Sequence, residues 1–205
     1  MRYGMLINLN RCIGCGACVM ACKMENGTGR DTYWCNVLTK ETGKYPNAKM
    51  SVMSISCMHC ENAPCVSCCP TGASYYDESG NVQIDEKKCI GCRVCMAACP
   101  YNVRHYNYTS HKNDPYWEGF EMTPFEEAKC GDHKVGTVEK CKRCPERLKE
   151  GRNVACAETC PTGSRLFGDL DDPNSEVSKA IKDLNARPLY EDLGTKPTVY
   201  YVGSF

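Results

Sequence analysis

Sixteen of the nineteen cysteines in this 205-residue chain fall into four groups of four. Cys12, Cys15, Cys18 and Cys22 are spaced C-x2-C-x2-C-x3-C, and Cys89, Cys92, Cys95 and Cys99 repeat that spacing before Pro100. Cys57, Cys60, Cys65 and Cys69, closed by Pro70, form a stretched version. Cys141, Cys144, Cys156 and Cys160, closed by Pro161, are stretched further. The 42% apolar content includes all these cysteines, and only about a third of the chain is apolar without them. That is poor material for an aliphatic core, so cross-links or metal are expected to hold the fold together. An odd cysteine count and the absence of an export signal argue against a disulfide scaffold.

Other classes fall as quickly. Lys plus Arg and Asp plus Glu are both 25, so a neutral chain gives no reason to expect nucleic acid or anionic lipid as a partner. No apolar run approaches the ~18 residues of a membrane span. The opening Met-Arg-Tyr-Gly-Met-Leu-Ile-Asn has neither a signal-peptide core nor a twin arginine. A soluble metalloprotein is expected.

The spacing matches the bacterial ferredoxin run for [4Fe–4S] clusters, whose fourth cysteine serves the neighbouring cluster. Three thiolates two residues apart can curl around one cubane, provided the backbone passes close to its sulfides. Gly14, Gly16 and Gly91 permit that approach because they carry no Cβ. Proline after the last cysteine stops the chain from continuing as before. A four-cysteine zinc site would join two C-x2-C knuckles and leave Cys18 and Cys95 without a role. The ferredoxin rule assigns Cys12, Cys15, Cys18 and Cys160 to one cluster, and Cys141, Cys144, Cys156 and Cys22 to another. It assigns Cys57, Cys60, Cys65 and Cys99 to a third, and Cys89, Cys92, Cys95 and Cys69 to the fourth. The alternative is that each group closes on its own cluster. Cys35, Cys68 and Cys130 match no ligand position and read as buried or half-buried thiols. His59, between two ligands, is expected beside a cluster rather than on its iron.

An internal repeat is visible. Ile7 to Cys15 parallels Ile84 to Cys92, and Cys69-Pro70-Thr71-Gly72-Ala73 parallels Cys160-Pro161-Thr162-Gly163-Ser164. Ala73–Tyr76 and Asn81–Asp85 read as a β-hairpin across Asp77-Glu78-Ser79-Gly80. The expected fold is α+β: two bacterial-type two-cluster ferredoxin units, one inserted in the other, with an extended C-terminal tail. Residues 1–49 with 136–170 form the outer unit, and residues 50–108 the inserted unit. Residues 109–135, with Trp117, Phe120 and Phe125, form a connecting or docking segment. Residues 171–205 form a helix over Ser175–Asn185 and a partner-binding tail with an exposed strand. Residues 129–152 carry an excess of lysine and arginine. These cations either offset cluster charge, roughly −2 per oxidised cluster with its thiolates, or dock a partner.

The four groups together resemble the ferredoxin-like electron-transfer subunits of molybdopterin oxidoreductases. The motifs are Cys12-Ile13-Gly14-Cys15-Gly16-Ala17-Cys18, Cys22-Lys23-Met24-Glu25-Asn26 and Cys57-Met58-His59-Cys60-Glu61-Asn62-Ala63-Pro64-Cys65. Cys89-Ile90-Gly91-Cys92, Val138-Glu139-Lys140-Cys141 and Gly168-Asp169-Leu170-Asp171-Asp172-Pro173 match as well. The family serves dimethyl sulfoxide, polysulfide or thiosulfate, tetrathionate, arsenate and nitrate enzymes of anaerobic respiration. The tail Leu193-Gly194-Thr195-Lys196-Pro197 is also similar to that of transhydroxylase small subunits. Some relatives hold a [3Fe–4S] cluster in place of a missing third-group cysteine. Here Cys89, Cys92, Cys95 and Cys99 are all present, which implies four [4Fe–4S] clusters.

The resemblance implies an electron relay between a large molybdopterin (Mo or W) catalytic subunit and a quinone-linked membrane subunit or a soluble donor. No nucleic acid and no membrane span of its own are expected. No catalytic residues are expected either, since every cluster iron has its cysteine and no nucleophile–base pair is evident. The rival reading is a free-standing polyferredoxin. The family's exported members travel folded with a signal-bearing partner, so the N-terminus does not separate cytoplasm from the outer face of the membrane.

Overall fold

The computed structural model describes residues 1–109, 119–130 and 133–205; Trp117 lies outside the described residues. Strand β1 (Tyr3–Asn8) leads through the first cysteine loop into helix α1 (Ala17–Asn26), followed by the hairpin β2 (Cys35–Thr42) and β3 (Lys49–Ser56). The second group carries α2 (Pro64–Ser67) and the hairpin β4 (Ser74–Tyr76) and β5 (Val82–Ile84). The third carries α3 (Val94–Ala97), before β6 (His105–Tyr106), α4 (Pro124–Lys129) and β7 (Val138–Glu139). Helices α5 (Pro145–Lys149) and α6 (Ala155–Glu158) belong to the fourth, before β8 (Arg165–Asp169), α7 (Glu176–Asp183), β9 (Arg187–Pro188) and β10 (Val199–Val202).

Proline placement explains the helix lengths. Helices α2, α3 and α6 are four residues each, and their chains reach Cys69-Pro70, Cys99-Pro100 and Cys160-Pro161 within two residues. A proline there cannot continue the hydrogen-bonded ladder. In the first group Lys23 stands where the others have proline, and α1 runs ten residues to a left-handed Gly27. Lys23 then folds back, its Nζ donating to the carbonyls of Gly29 (2.7 Å) and Thr32 (2.8 Å). The expected hairpin is β4–β5, paired antiparallel with Ser74 opposite Ile84. Ser175 caps α7, its hydroxyl accepting from the Ser178 amide.

The main sheet has the order β8-β1-β10-β9. Its inner strand β1 pairs antiparallel with β8 (Ile7 opposite Arg165) and parallel with β10 (Met5 opposite Val199). The C-terminal strand therefore differs from the exposed strand that the sequence suggests. Val199 and Tyr201 are buried, because β10 fills the gap between β1 and β9. The segment before it is laced to the second cysteine loop. Glu61 and Asn62 donate to the carbonyls of Lys196 and Thr195, and Thr198 donates to Met58. The expected boundary after residue 49 also falls inside an element, since β2 and β3 form one ladder from Cys35–Ser56 to Thr42–Lys49.

The core matches the composition. Leu6, Ile7, Val82, Val138, Val154 and Trp34 are almost fully buried, but so are His59, Glu139 and Lys140. Buried ionisable groups of this kind need partners.

Candidate iron–sulfur centres

No disulfide joins any of the nineteen cysteines. Three cavities are each walled by four of them. The first is lined by Cys69, Cys89, Cys92 and Cys95. The second is lined by Cys57, Cys60, Cys65 and Cys99. The third is lined by Cys22, Cys141, Cys144 and Cys156, with Cys35 beside them. In each, three cysteines come from one sequence group and one from another. Cys12, Cys15 and Cys18 follow β1, whereas Cys160 precedes β8; the antiparallel register of these strands brings the two ends together, and the Asn8 amide donates to the Ser164 carbonyl.

Local backbone explains how each loop turns its sulfurs inward. Gly14 and Gly91 have φ of +69° and +70°, and a Cβ on Gly91 would lie 2.1 Å from the Gly136 carbonyl oxygen. Arg93, at the place of Gly16 in the repeat, adopts φ +61° without being glycine, and its guanidinium lies 4.7 Å from the Tyr106 ring centre. The repeated Cys-Pro-Thr-Gly turn sets Thr71 and Thr162 hydroxyls 3.7 Å from the sulfurs of Cys69 and Cys160. With backbone amides of the same turns, they hold both thiols below the ordinary cysteine value against the effect of burial.

The other thiols are crowded. Burial first, and then the neighbouring Cys57, push Cys60 up to about 12. Cys144 also reaches about 12, through burial and then Cys141. Burial dominates at Cys65 as well, which stands at about 11 although Arg104 opposes the rise. Convergent thiols that resist ionising together are what a polycation relieves, because ligation by iron requires the thiolate. Among the described residues no three of His, Cys, Asp or Glu come together tightly enough to grip a single ion. The sulfurs stand instead around cavity walls, as a polynuclear core requires.

Buried cations make the complementary case, and sequence reasoning missed them individually. Arg104, Lys140, Arg143 and Arg165 are 1–4% exposed, and none pairs with a carboxylate among the described residues. Arg104 donates to Cys65 Sγ (2.9 Å) and Ser74 Oγ (3.0 Å). Arg165 donates to Cys35 Sγ (3.1 Å), Ser54 Oγ (2.5 Å) and Met5 Sδ (3.3 Å). Arg143 reaches the Tyr3 carbonyl, Asn81 and Thr198, and Lys140 donates to the carbonyls of Val82 and Cys141. An unpaired buried charge costs several kcal/mol, and anionic clusters in the adjoining cavities would offset it. His59 fits the same account. It is fully buried with neither ring nitrogen hydrogen-bonded, and burial, then Lys140 and Arg143, hold it neutral. An orphaned ring N–H on the residue next to Cys60 suits a cluster sulfur as acceptor.

The basic excess over residues 129–152 thus divides. Lys140 and Arg143 point inward, whereas Arg147 forms ion pairs with Glu25 (2.8 Å) and Glu158 (2.5 Å). Cys35 and Cys130 are buried and Cys68 is half-buried. Cys35 is more than filler: its sulfur and that of Cys18 both lie against Ser54 Oγ (3.9 and 3.4 Å), and Cys35, then Arg165, draw the Cys18 thiol down to about 5. Phe120 and Phe125 of the connecting segment are exposed.

Comparison with known proteins points the same way. A 4Fe-4S dicluster domain matches residues 48–115 and 112–170, and a 4Fe-4S binding domain matches residues 3–24. A Halobacterium salinarum protein, named for the iron–sulfur subunit of a dimethyl sulfoxide reductase, is 41% identical over 98% of this chain and 78% of its own. The arsenate respiratory reductase iron–sulfur subunit of a Shewanella species is 38% identical over all of this chain and 97% of its own. A selenate reductase subunit from Mesobacillus selenatarsenatis is 36% identical over 98% of this chain and 72% of its own. With its cysteine-walled cavities and dicluster domains, the chain belongs to the family of [4Fe–4S] electron-transfer subunits of molybdopterin oxidoreductases.

Proposed function

We propose that the chain holds four [4Fe–4S] clusters in a row and relays electrons through them to or from a molybdopterin catalytic subunit. The observation that carries this reading is the lining of the three cavities, each by three cysteines of one group and one of another. The ligand sets are Cys69, Cys89, Cys92, Cys95; then Cys57, Cys60, Cys65, Cys99; then Cys22, Cys141, Cys144, Cys156; then Cys12, Cys15, Cys18, Cys160. Crossed sets make residues 57–108 one two-cluster unit, inserted between the halves of another that includes β1, α1, α6 and β8. Bound clusters supply one-electron transfer.

The protein's part is to space, insulate and bias them. The order of the row is supported by which thiols share a cation. Arg104 lines the first two cavities, and Lys140 and Arg143 feel both Cys57 and Cys141. Arg165 feels both Cys156 and Cys18. The ends of the row are the two loops with exposed cysteines, Cys15 and Cys92, each beside an isoleucine (Ile13, Ile90) that is 67% exposed. Apolar exposure beside a redox centre suits a docked partner. One end would face the molybdenum or tungsten subunit, the other a quinone-linked membrane subunit or a soluble donor. No helix among the described residues is long and apolar enough to cross a membrane, so quinone chemistry would belong to another chain.

Isolation from the native host tests this. Co-purification with a large molybdenum or tungsten subunit, with about sixteen iron and sixteen sulfide per chain, is the expected result. A stable free monomer with the same iron content would favour the polyferredoxin reading.

A further inference from the structure

Arg104 and Arg165 occupy equivalent places in the internal repeat. Each lies five residues beyond the last cysteine of its group, in Cys99-Pro100-Tyr101-Asn102-Val103-Arg104 and Cys160-Pro161-Thr162-Gly163-Ser164-Arg165. Each is 3% exposed and lacks a carboxylate partner among the described residues. Neither is held by an acid, yet each is pinned by serine hydroxyls: Ser74 for Arg104, Ser54 and Ser56 for Arg165. Ser74 itself lies five residues beyond Cys69, so the repeat supplies both the arginine and its serine in the inner unit.

Both guanidinium groups sit between two sets of thiols. Arg104 lines the cavity of Cys69, Cys89, Cys92 and Cys95 and also that of Cys57, Cys60, Cys65 and Cys99. Its Nη2 donates to Cys65, and burial of its charge is offset by Cys65 and Cys57 on one side and Cys95 on the other. Arg165 donates to Cys35 Sγ, Met5 Sδ and Ser56 Oγ, all of which line the cavity of Cys22, Cys141, Cys144 and Cys156, and also to Ser54 Oγ, which lies 3.4 Å from Cys18 Sγ. Its Nε has no hydrogen-bond partner, which leaves a donor for a sulfur that only a bound cluster would bring.

We infer that Arg104 and Arg165 are positioning residues that set the reduction potentials of two clusters each, one arginine for each ferredoxin unit. The inference rests on the ligand sets proposed above. Reduction adds one negative charge to a cluster, and a fixed cation in a water-poor site stabilises the reduced form. A cation between two such sites stabilises both reduced forms and keeps the pair poised together, so that an electron is not stranded on either.

The test is EPR-monitored redox titration of the iron-loaded full chain. Cys65→Ser and Cys95→Ser first mark the two clusters of the inserted unit. If these variants perturb one and the same cluster, the ligand sets are wrong and the inference falls with them. If they mark two clusters, Arg104→Gln is expected to move both midpoints to more negative values, leaving the other two clusters in place. Arg165→Gln is expected to move the midpoints of those other two clusters to more negative values and to leave the inserted unit's pair in place. Arg104→Lys, which keeps the charge, should hold both midpoints nearer the wild type. A shift confined to one cluster of a pair, an equal shift in all four, or a lysine variant shifted as far as the glutamine variant would overturn the assignment. Should Arg104→Gln fail to load iron, Arg104→Lys still decides. Small matched shifts of the inserted unit's pair alone support the inference, and a one-sided shift overturns it.

Discussion

At the scale of single residues, the charged side chains inside the molecule divide into two kinds. Arg104, Lys140, Arg143 and Arg165 form no ion pair with an acid among the described residues, and the thiolate charge of nearby cysteines acts on each. Glu139 and His133 instead pair with each other, with His133 Nδ1 2.6 Å from the carboxylate and Nε2 2.9 Å from the Asn26 carbonyl. Trp34 Nε1 also donates to Glu139, at 3.1 Å. Burial opposes His133 protonation, but the bond to Glu139 outweighs it and raises the imidazole above 6.5. Glu139 is lowered below 4.5, with His133 overcoming its burial. The sign follows. His133 contributes stability that is complete below 6.5 and is lost as pH rises through its raised value. Glu139 contributes stability above 4.5 that is lost as pH falls through its lowered value. The thermal midpoint of the iron-loaded protein should therefore exceed that of His133→Gln most at about pH 6, and less at about pH 8.5. A gap that widens with pH would contradict this. Of these residues, Arg104 and Arg165 are legible in the sequence as a repeated Cys-Pro-x-x-x-Arg. Lys140 and Arg143 are not, because a run such as Glu139-Lys140-Cys141-Lys142-Arg143 does not say which charges turn inward.

At the scale of elements, the helix ends and the β4–β5 hairpin are legible because proline and the Asp77–Gly80 turn act locally. The hairpin β2–β3 is not, since most of β2 is exposed and alternation of apolar residues is weak there. The tail departs from expectation for a different reason. Val199-Tyr200-Tyr201-Val202 reads as a strand, but only tertiary register shows that β1 has a free side for it. Val199 and Tyr201 each contribute ~1.5–3 kcal/mol through burial. Thr195 accepts from or donates to the Tyr101 hydroxyl at 2.6 Å beside the Cys60 loop. Deleting residues 194–205 should thus lower iron content and unfold the chain at lower temperature, with the cluster of Cys57, Cys60, Cys65 and Cys99 lost first. Retention of all iron with loss of partner association alone would return the tail to a docking role.

At the scale of the whole molecule, apolar packing is thin, and the cysteine-walled cavities in the core are ringed by cations as well as thiols. Without a cluster the buried cations lack an anionic counterpart and the crowded thiols resist ionising together, so cluster assembly and folding should be one event. Anaerobic removal of iron is expected to abolish near-UV structure and cooperative unfolding; a sharp thermal transition after removal would count against it. The four-fold cysteine pattern makes this legible from sequence, because metal binding dictates spacing more strictly than packing dictates composition. The pairing of groups is legible only through the ferredoxin rule, and it is the claim on which the row of clusters and the inserted unit depend. The most direct measurement compares EPR-monitored redox titrations of Cys22→Ser and Cys12→Ser in the iron-loaded chain. Crossed ligand sets predict that Cys22→Ser alters the cluster held by Cys141, Cys144 and Cys156, while Cys12→Ser alters a different one. Perturbation of one and the same cluster by both variants would contradict the account.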